Sequence, residues 1–155
     1  MPLNTFLRRR LYRGGRPHRL ARVLNRLSAW QFAAGWAPPA WVTLEVTGRR
    51  SGRTVSCPVV VASYRGDRYL VSMLGRQANW VANVQAAAGE AVLRHGDPEP
   101  VRLVEVEPGE RAPILRAYLA VAPGARPHVR VDRHAPRAEF ERVAGDHPVF
   151  RVNRR

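Results

Sequence analysis

The chain contains no lysine, a single cysteine and no acidic residue before Glu45. All 26 basic residues are arginine, in a composition rich in Ala, Gly and Pro, and that bias accounts for the missing lysines without a functional cause. The lone Cys57 excludes an internal disulfide and any cysteine-based zinc cluster, and fits a reducing compartment. No apolar run approaches 18 residues, so no spanning helix is expected. The basic N-terminus is not followed by an apolar stretch of the secretory kind. Catalytic signatures are missing too: there is no G-x-S-x-G, H-E-x-x-H, Walker loop or G-x-G-x-x-G. The five histidines are scattered. His128 and His134 stand six apart with only Asp132 to join them, a spacing that matches no metal-ligand pattern, so no metal is expected.

What remains is a chain of 155 residues, 45% apolar and formally +14, enough for one domain with a real core. The positive charge is uneven. Residues 1–30 carry eight arginines (8, 9, 10, 13, 16, 19, 22 and 26) and no acid. From Pro17 to about Gly35, Leu20, Val23, Leu24 and Leu27 recur at helical spacing, with arginines on another face and Trp30, Phe32 and Trp36 at the end. Such a helix either packs its stripe on the domain or lies on an anionic membrane surface. Ala37-Pro38-Pro39 ends it. The expected division is a basic arm and helix over 1–37 and a folded domain over 38–155. Nucleic acid is not the expected partner. The expected location is cytoplasmic, with residues 1–30 as the contact if the protein is peripheral on the inner face of the membrane.

Beyond Pro39 the pattern turns to strands. Trp41 to Thr47, about Val55 to Tyr64 and Asp67 to Met73 read as strands, the last two joined by a turn at Arg65-Gly66. A helix is predicted from Asn79 to Gly89. A strand pair follows, Glu90 to His95 and Val101 to Glu107, around the turn G-D-P-E-P. Then come a helix from Glu110 to Val121, a loop over 125–134, a short helix from Ala135 to Ala144 and a last strand from His147 to Asn153. Strands first, with helices around them, argue α+β with a mostly antiparallel barrel and flanking helices.

The most informative segment runs from Val46 to Thr54. A β-branched strand enters a loop bracketed by Gly48 and Gly52, with Arg49, Arg50 and Arg53 beside hydroxyls at Ser51 and Thr54. Backbone N–H groups, hydroxyls and guanidiniums on one loop suit a phosphate or carboxylate; the plain alternative is a hairpin turn with solvated arginines. Missing acid–base and nucleophilic groups are what cofactor-borne chemistry predicts, because the protein then supplies position, electrostatics and a water-poor pocket.

The order of Thr47-Gly48-Arg49-Arg50-Ser51-Gly52, then Pro58, the hairpin at Gly66-Asp67, and Asn79-Trp80-Val81-Ala82-Asn83 resembles the deazaflavin (coenzyme F-420)-dependent nitroreductase and quinone reductase family, over roughly residues 41–151. The resemblance implies an α+β split β-barrel of the flavin mononucleotide-binding kind, and an oxidoreductase that passes a hydride from reduced 8-hydroxy-5-deazaflavin to a quinone or nitroaromatic acceptor. It implies that Arg49, Arg50 and Ser51, with Arg53 beside them, meet the phosphate and glutamate tail. Cys57, Pro58 and Val59 would edge the ring, Val71 and Ser72 would lie beneath it, and Asn79, Trp80 and Asn83 would close the site. Val55 stands where the family commonly has Arg, and Met73 where Lys is usual. Ser72 is the one candidate for a hydrogen bond to the reacting molecules. A flavin mononucleotide enzyme on the same barrel, a carrier of a heme, fatty acid or cofactor, and a basic membrane- or nucleic-acid-binding module are the rival readings.

Overall fold

The computed structural model describes residues 41–155, all within the compact unit Pro38–Arg155. The basic arm and the amphipathic helix expected before Pro38 lie outside the described residues.

Six strands make a closed barrel: β1 (Trp41–Thr47), β2 (Thr54–Tyr64), β3 (Asp67–Val71), β4 (Glu90–His95), β5 (Asp97–Glu105) and β6 (Val149–Arg154). Their order around the wall is β1-β2-β3-β6-β5-β4, and β4 returns to β1. Every pairing is antiparallel. Among the described residues three α-helices flank it: α1 (Asn79–Ala86), α2 (Ala112–Val121) and α3 (Arg137–Val143). The family-implied architecture, a mostly antiparallel barrel with flanking helices, is the observed one.

Period-two alternation along the strands divides the core in two. Leu44, Val46, Cys57, Val61, Leu70, Leu93, Val101, Leu103 and Phe150 point inward and fill the barrel, which α1 closes with Val81 and Val84. Their neighbours Val60, Ala62, Tyr69, Val71 and Val149 point outward under α2 and α3. Helix α2 brings Ala112, Leu115, Tyr118 and Leu119 to that face at i, i+3, i+4 spacing, and α3 adds the fully buried Phe140. Each such Leu or Phe contributes about 1.5–3 kcal/mol by burial, so truncating Leu115 or Phe140 to Ala would loosen both helices from the wall.

Two prolines show how the wall ends. The G-D-P-E-P segment, expected as a turn, belongs largely to β5: Pro98 pairs with Arg94 and Pro100 with Val92. Proline is tolerated there because β5 pairs with β6 only from Val101 onward. The N–H of Leu103 points to Gly89, so the even-numbered nitrogens of β5 point away from β4, toward the unpaired side. Pro58 is the same case in β2. Residues Thr54–Val60 pair with β1, whereas β3 joins only from Val61. The first half of β2 is therefore bonded on one side only, and the barrel is split along it.

Other boundaries shift for local reasons. Strand β3 stops at Val71, two residues before the expected end, because Ser72 opens a turn. Pro108–Glu110 forms a 3-10 turn ahead of α2, which therefore begins at Ala112. Part of the expected 125–134 loop is the 3-10 segment Pro123–His128.

Candidate functional site

The β1–β2 loop, the β3–α1 loop and α1 all lie at one end of the barrel, the end where β1 finishes. The loop Gly48–Arg53 is closed by its own backbone. Gly48 N–H donates to Arg53 O at 2.7 Å, and Gly52 N–H to Gly48 O at 2.9 Å. Gly52 sits at φ +69°, a left-handed turn position that favours glycine. Ser51 Oγ accepts from Arg53 N–H at 3.2 Å, which leaves the hydroxyl proton free to donate outward.

Helix α1 holds this loop. Asn83 is buried, and its Oδ1 accepts from both Arg49 N–H at 3.1 Å and the Arg49 guanidinium at 2.8 Å. A side-chain amide neutralises no charge, so Arg49 keeps its full positive field. Arg50 and Arg53 are exposed and make no ion pair among the described residues. Arg76, on the β3–α1 loop, is exposed as well.

Several arginines elsewhere have carboxylate partners. Arg68 grips Glu99 through both oxygens, at 2.8 and 3.1 Å, and this bond holds the Glu99 carboxyl below its usual range. Arg94 does the same for Glu45. Arg102 and Arg155 share Glu90, and Arg137 pairs with Glu141. Arg111 is 1% exposed and spends its guanidinium on Glu105 and on three backbone carbonyls, those of Val106, Ala144 and His147. Burial lowers its pKa, and Glu105 opposes that shift.

The remaining expected site residues divide by strand face. Cys57 and Val59 pack into the barrel interior, with Val55 on the same alternation, whereas Pro58 faces outward. Cys57 and Val59 therefore do not share a wall with Pro58 as side chains. Burial pushes the Cys57 thiol up to about 11, so it is neutral and inert at ordinary pH. Val71 is buried under α2, and Met73 packs at the margin of the same cluster. Ser72 is fully buried and donates its only hydroxyl proton to Gly75 O at 2.6 Å, so the geometry gives this candidate a turn-closing role. Asn79 opens α1 and is exposed. Trp80 is half-buried on Phe150, ring centroids 5.6 Å apart at 58°, and so belongs partly to the core.

Two residues that the sequence reading passed over matter to this end of the barrel, Arg111 and His147. The buried His147 ring reaches Ser72 O through Nδ1 at 2.9 Å. Nothing local in the sequence marks a contact made 75 residues away. Among the described residues no group of His, Cys, Asp and Glu is placed to hold a metal ion. Two cavities of ≈ 550 and ≈ 410 Å³ lie away from the arginine loop. The first is at the opposite mouth, around Arg68 and Glu99, and the second is outside the wall, between Tyr69 and Glu110.

A closed six-stranded antiparallel barrel with flanking helices, bonded on one side only along the first half of β2, is the split-barrel fold. The chain belongs to the F420H(2)-dependent quinone reductase family, whose model matches residues 22–137, well over half of its length. It is an oxidoreductase whose cofactor is the reduced deazaflavin coenzyme. No curated protein matches it in sequence. Solved structures agree in fold. An F420-H2 dependent reductase (FDR-A) is 21% identical at a TM-score of 0.52, over 74% of this chain and 95% of that one. A protein of unknown function from Agrobacterium tumefaciens (Atu2129) is 12% identical at 0.55, over 74% and 48%. A heme binding protein from Mycobacterium smegmatis is 14% identical at 0.50, over 82% and 50%. The chain thus spans about half the length of the last two.

Proposed function

We propose that the loop Arg49–Arg53 takes the phosphate and carboxylate tail of the reduced deazaflavin, and that the ring lies along the split half of β2. One observation carries this reading. Arg68, Arg94, Arg102 and Arg154 on the wall and at the opposite mouth are matched by acids, whereas among the described residues Arg50 and Arg53 make no ion pair and sit on a loop that Asn83 holds in place through Arg49. Unpaired guanidiniums on a fixed loop need no reorganisation to receive an anion, and each offers a planar fork to phosphate or carboxylate.

When bound, the coenzyme supplies the hydride. The residues of the chain bind, orient and exclude water. Arg50, Arg53 and the Ser51 hydroxyl anchor the tail. Pro58 presents an apolar edge from the unpaired side of β2, and its missing N–H leaves no donor to be desolvated there. Trp80 and Asn79 limit the cleft at the start of α1. With the Ser72 proton committed to Gly75 O, the proton that follows the hydride to the acceptor comes from solvent.

The acceptor is of the quinone type. We extend this to nitroaromatics, which accept hydride at a similarly electron-poor centre. Fluorescence titration of full-length protein with reduced deazaflavin, a nicotinamide cofactor and flavin mononucleotide tests the cofactor assignment. Binding of the first and none of the second is expected. Equal or tighter binding of flavin mononucleotide would replace the reading by a flavin enzyme on the same barrel.

The same proposal covers the chain before the barrel. Residues 1–37 act as a basic arm distinct from the domain 38–155, and residues 1–30 meet an anionic membrane from the cytoplasmic side, where a lipid-soluble quinone resides. The supporting feature is eight arginines without an acid beside an apolar stripe, each arginine near the surface adding about 1 kcal/mol. Among the described residues no helix is long and apolar enough to cross a membrane. Sedimentation with anionic liposomes at low salt should carry down the full chain and spare a version beginning at Pro38. If both stay in the supernatant, the membrane contact is wrong.

A further inference from the structure

Helix α1 starts where the β3–α1 loop leaves it, and that loop is fastened from behind the cleft. Ser72 N–H donates to Pro148 O at 2.9 Å, and Ser72 Oγ donates to Gly75 O at 2.6 Å. Ser72 O accepts from Gly75 N–H at 3.2 Å and contacts His147 Nδ1 at 2.9 Å. A carbonyl oxygen has no proton to give, so Nδ1 carries the hydrogen and the tautomer of the neutral ring is fixed. Gly75 sits at φ +83°, and a Cβ there would stand 3.0 Å from Asp146 O, so the turn is pressed against the strand-entry segment that His147 belongs to. His147 is in turn held by its own carbonyl, to which the buried Arg111 donates at 3.4 Å while also donating to Ala144 O at 3.2 Å.

The path continues forward. Gly75 O accepts from Ala78 N–H at 3.4 Å, and Ala78 is the residue before α1. One turn into α1, Asn83 holds Arg49. A chain of hydrogen bonds and one helix thus joins Arg111 and His147, both buried, to the arginine loop.

We propose that His147 is a positioning residue for the cofactor site, acting through Ser72 O on the β3–α1 loop and, by way of α1, on Asn83 and Arg49. Arg111 is its anchor. The inference rests on the assignment of the arginine loop to the coenzyme tail. The imidazole touches no reacting atom. It gives a buried carbonyl its second donor and so sets where the Ser72–Gly75 turn lies. Removing the donor leaves that carbonyl with the longer Gly75 bond alone, and the turn moves to find another partner.

The test compares three substitutions in the full-length protein. His147→Asn keeps an N–H near the Nδ1 position, His147→Gln carries it to the Nε2 position, and His147→Leu removes it. Reduced-deazaflavin affinity is measured well below each melting temperature, together with hydrogen exchange at the Gly75 and Ala78 amides. His147→Leu and His147→Gln should weaken binding roughly tenfold, the scale for network residues that touch no ligand. Exchange at both amides should quicken, and His147→Asn should restore both readouts. A role in general stability alone would lower melting without this Asn-against-Gln pattern. Arg50→Ala serves as the control for the site. If Arg50→Ala weakens binding and His147→Leu does not, the positioning role is overturned. If neither weakens it, the site itself is misplaced and the inference falls with it. Should His147→Leu fail to fold, the contrast between His147→Asn and His147→Gln decides in the same way.

Discussion

Two groups of arginines, one at each end of the barrel, are held in opposite ways. At the mouth near the β2–β3 hairpin, Arg68 and Arg154 converge on Glu99, so both have an acid within the protein. At the other end Arg50 and Arg53 have no acid, and Arg49 is held by an uncharged amide. The matched pairs serve the fold, and on the proposed reading the charge of the exposed loop is completed from outside. The contrast is chemical rather than numerical, because arginine supplies every basic residue in the chain and its abundance alone says nothing about purpose.

The largest effect should come from the arginine most deeply committed to the fold. Arg111→Met strands two buried carbonyls, those of Ala144 and His147, the part-buried one of Val106, and Glu105, whose side chain is 35% exposed and can partly turn to water. A loss of about 2–4 kcal/mol is expected. Chemical denaturation reads it, and a loss under about 0.5 kcal/mol would place Arg111 among the ordinary surface residues.

Next is Asn83, where the two uses of arginine meet. Asn83→Ala removes the acceptor for two bonds from Arg49 and should cost about 1–2 kcal/mol in stability. It should also weaken coenzyme binding, since the loop loses its fixed position. Stability falling while binding stays at the wild-type value would separate the loop from the site.

The smallest effect belongs to the matched mouth. Arg68→Gln should cost about 0–1 kcal/mol at neutral pH, because both partners are about a third exposed. The sign with pH is set by Glu99. Its folded pKa lies below the unfolded carboxylate value of about 4.3. The pair's contribution is therefore complete above that value and is lost as pH falls through the folded pKa. The wild type and Arg68→Gln should converge in stability only once the pH is below the depressed folded pKa of Glu99. A gap that persists at lower pH would show that Arg68 acts through packing instead.

Much of the barrel was legible because its signals are local. The hairpin at Arg65-Gly66 and the alternation of Leu44, Val46, Val61 and Leu70 need only neighbouring residues. Pro98 and Pro100 misled, because a proline reads as a turn unless one knows that one side of the strand is unpaired, and that is a property of the whole sheet. The cationic loop was legible as a motif. Its lack of counter-ions was not, since pairing depends on which acids the fold brings near. The resemblance set Cys57 and Val59 beside Pro58, and strand geometry turns the side chains of neighbours to opposite faces, which no motif states. Ser72 looked like a free hydroxyl, and His147 looked like one of five scattered histidines. Their roles depend on contacts between β3 and the entry to β6 that no spacing announces.

The most direct measurement compares one arginine from each end by coenzyme titration. Arg50→Ala should raise the Kd for reduced deazaflavin by about 10- to 150-fold, the equivalent of about 1.5–3 kcal/mol for a charge-assisted hydrogen bond, with little change in melting temperature. Arg94→Ala, which breaks an exposed pair with Glu45, should leave that Kd within about twofold. Equal effects of the two substitutions on coenzyme affinity would contradict the account, because the unmatched loop would then be no more than a solvated turn.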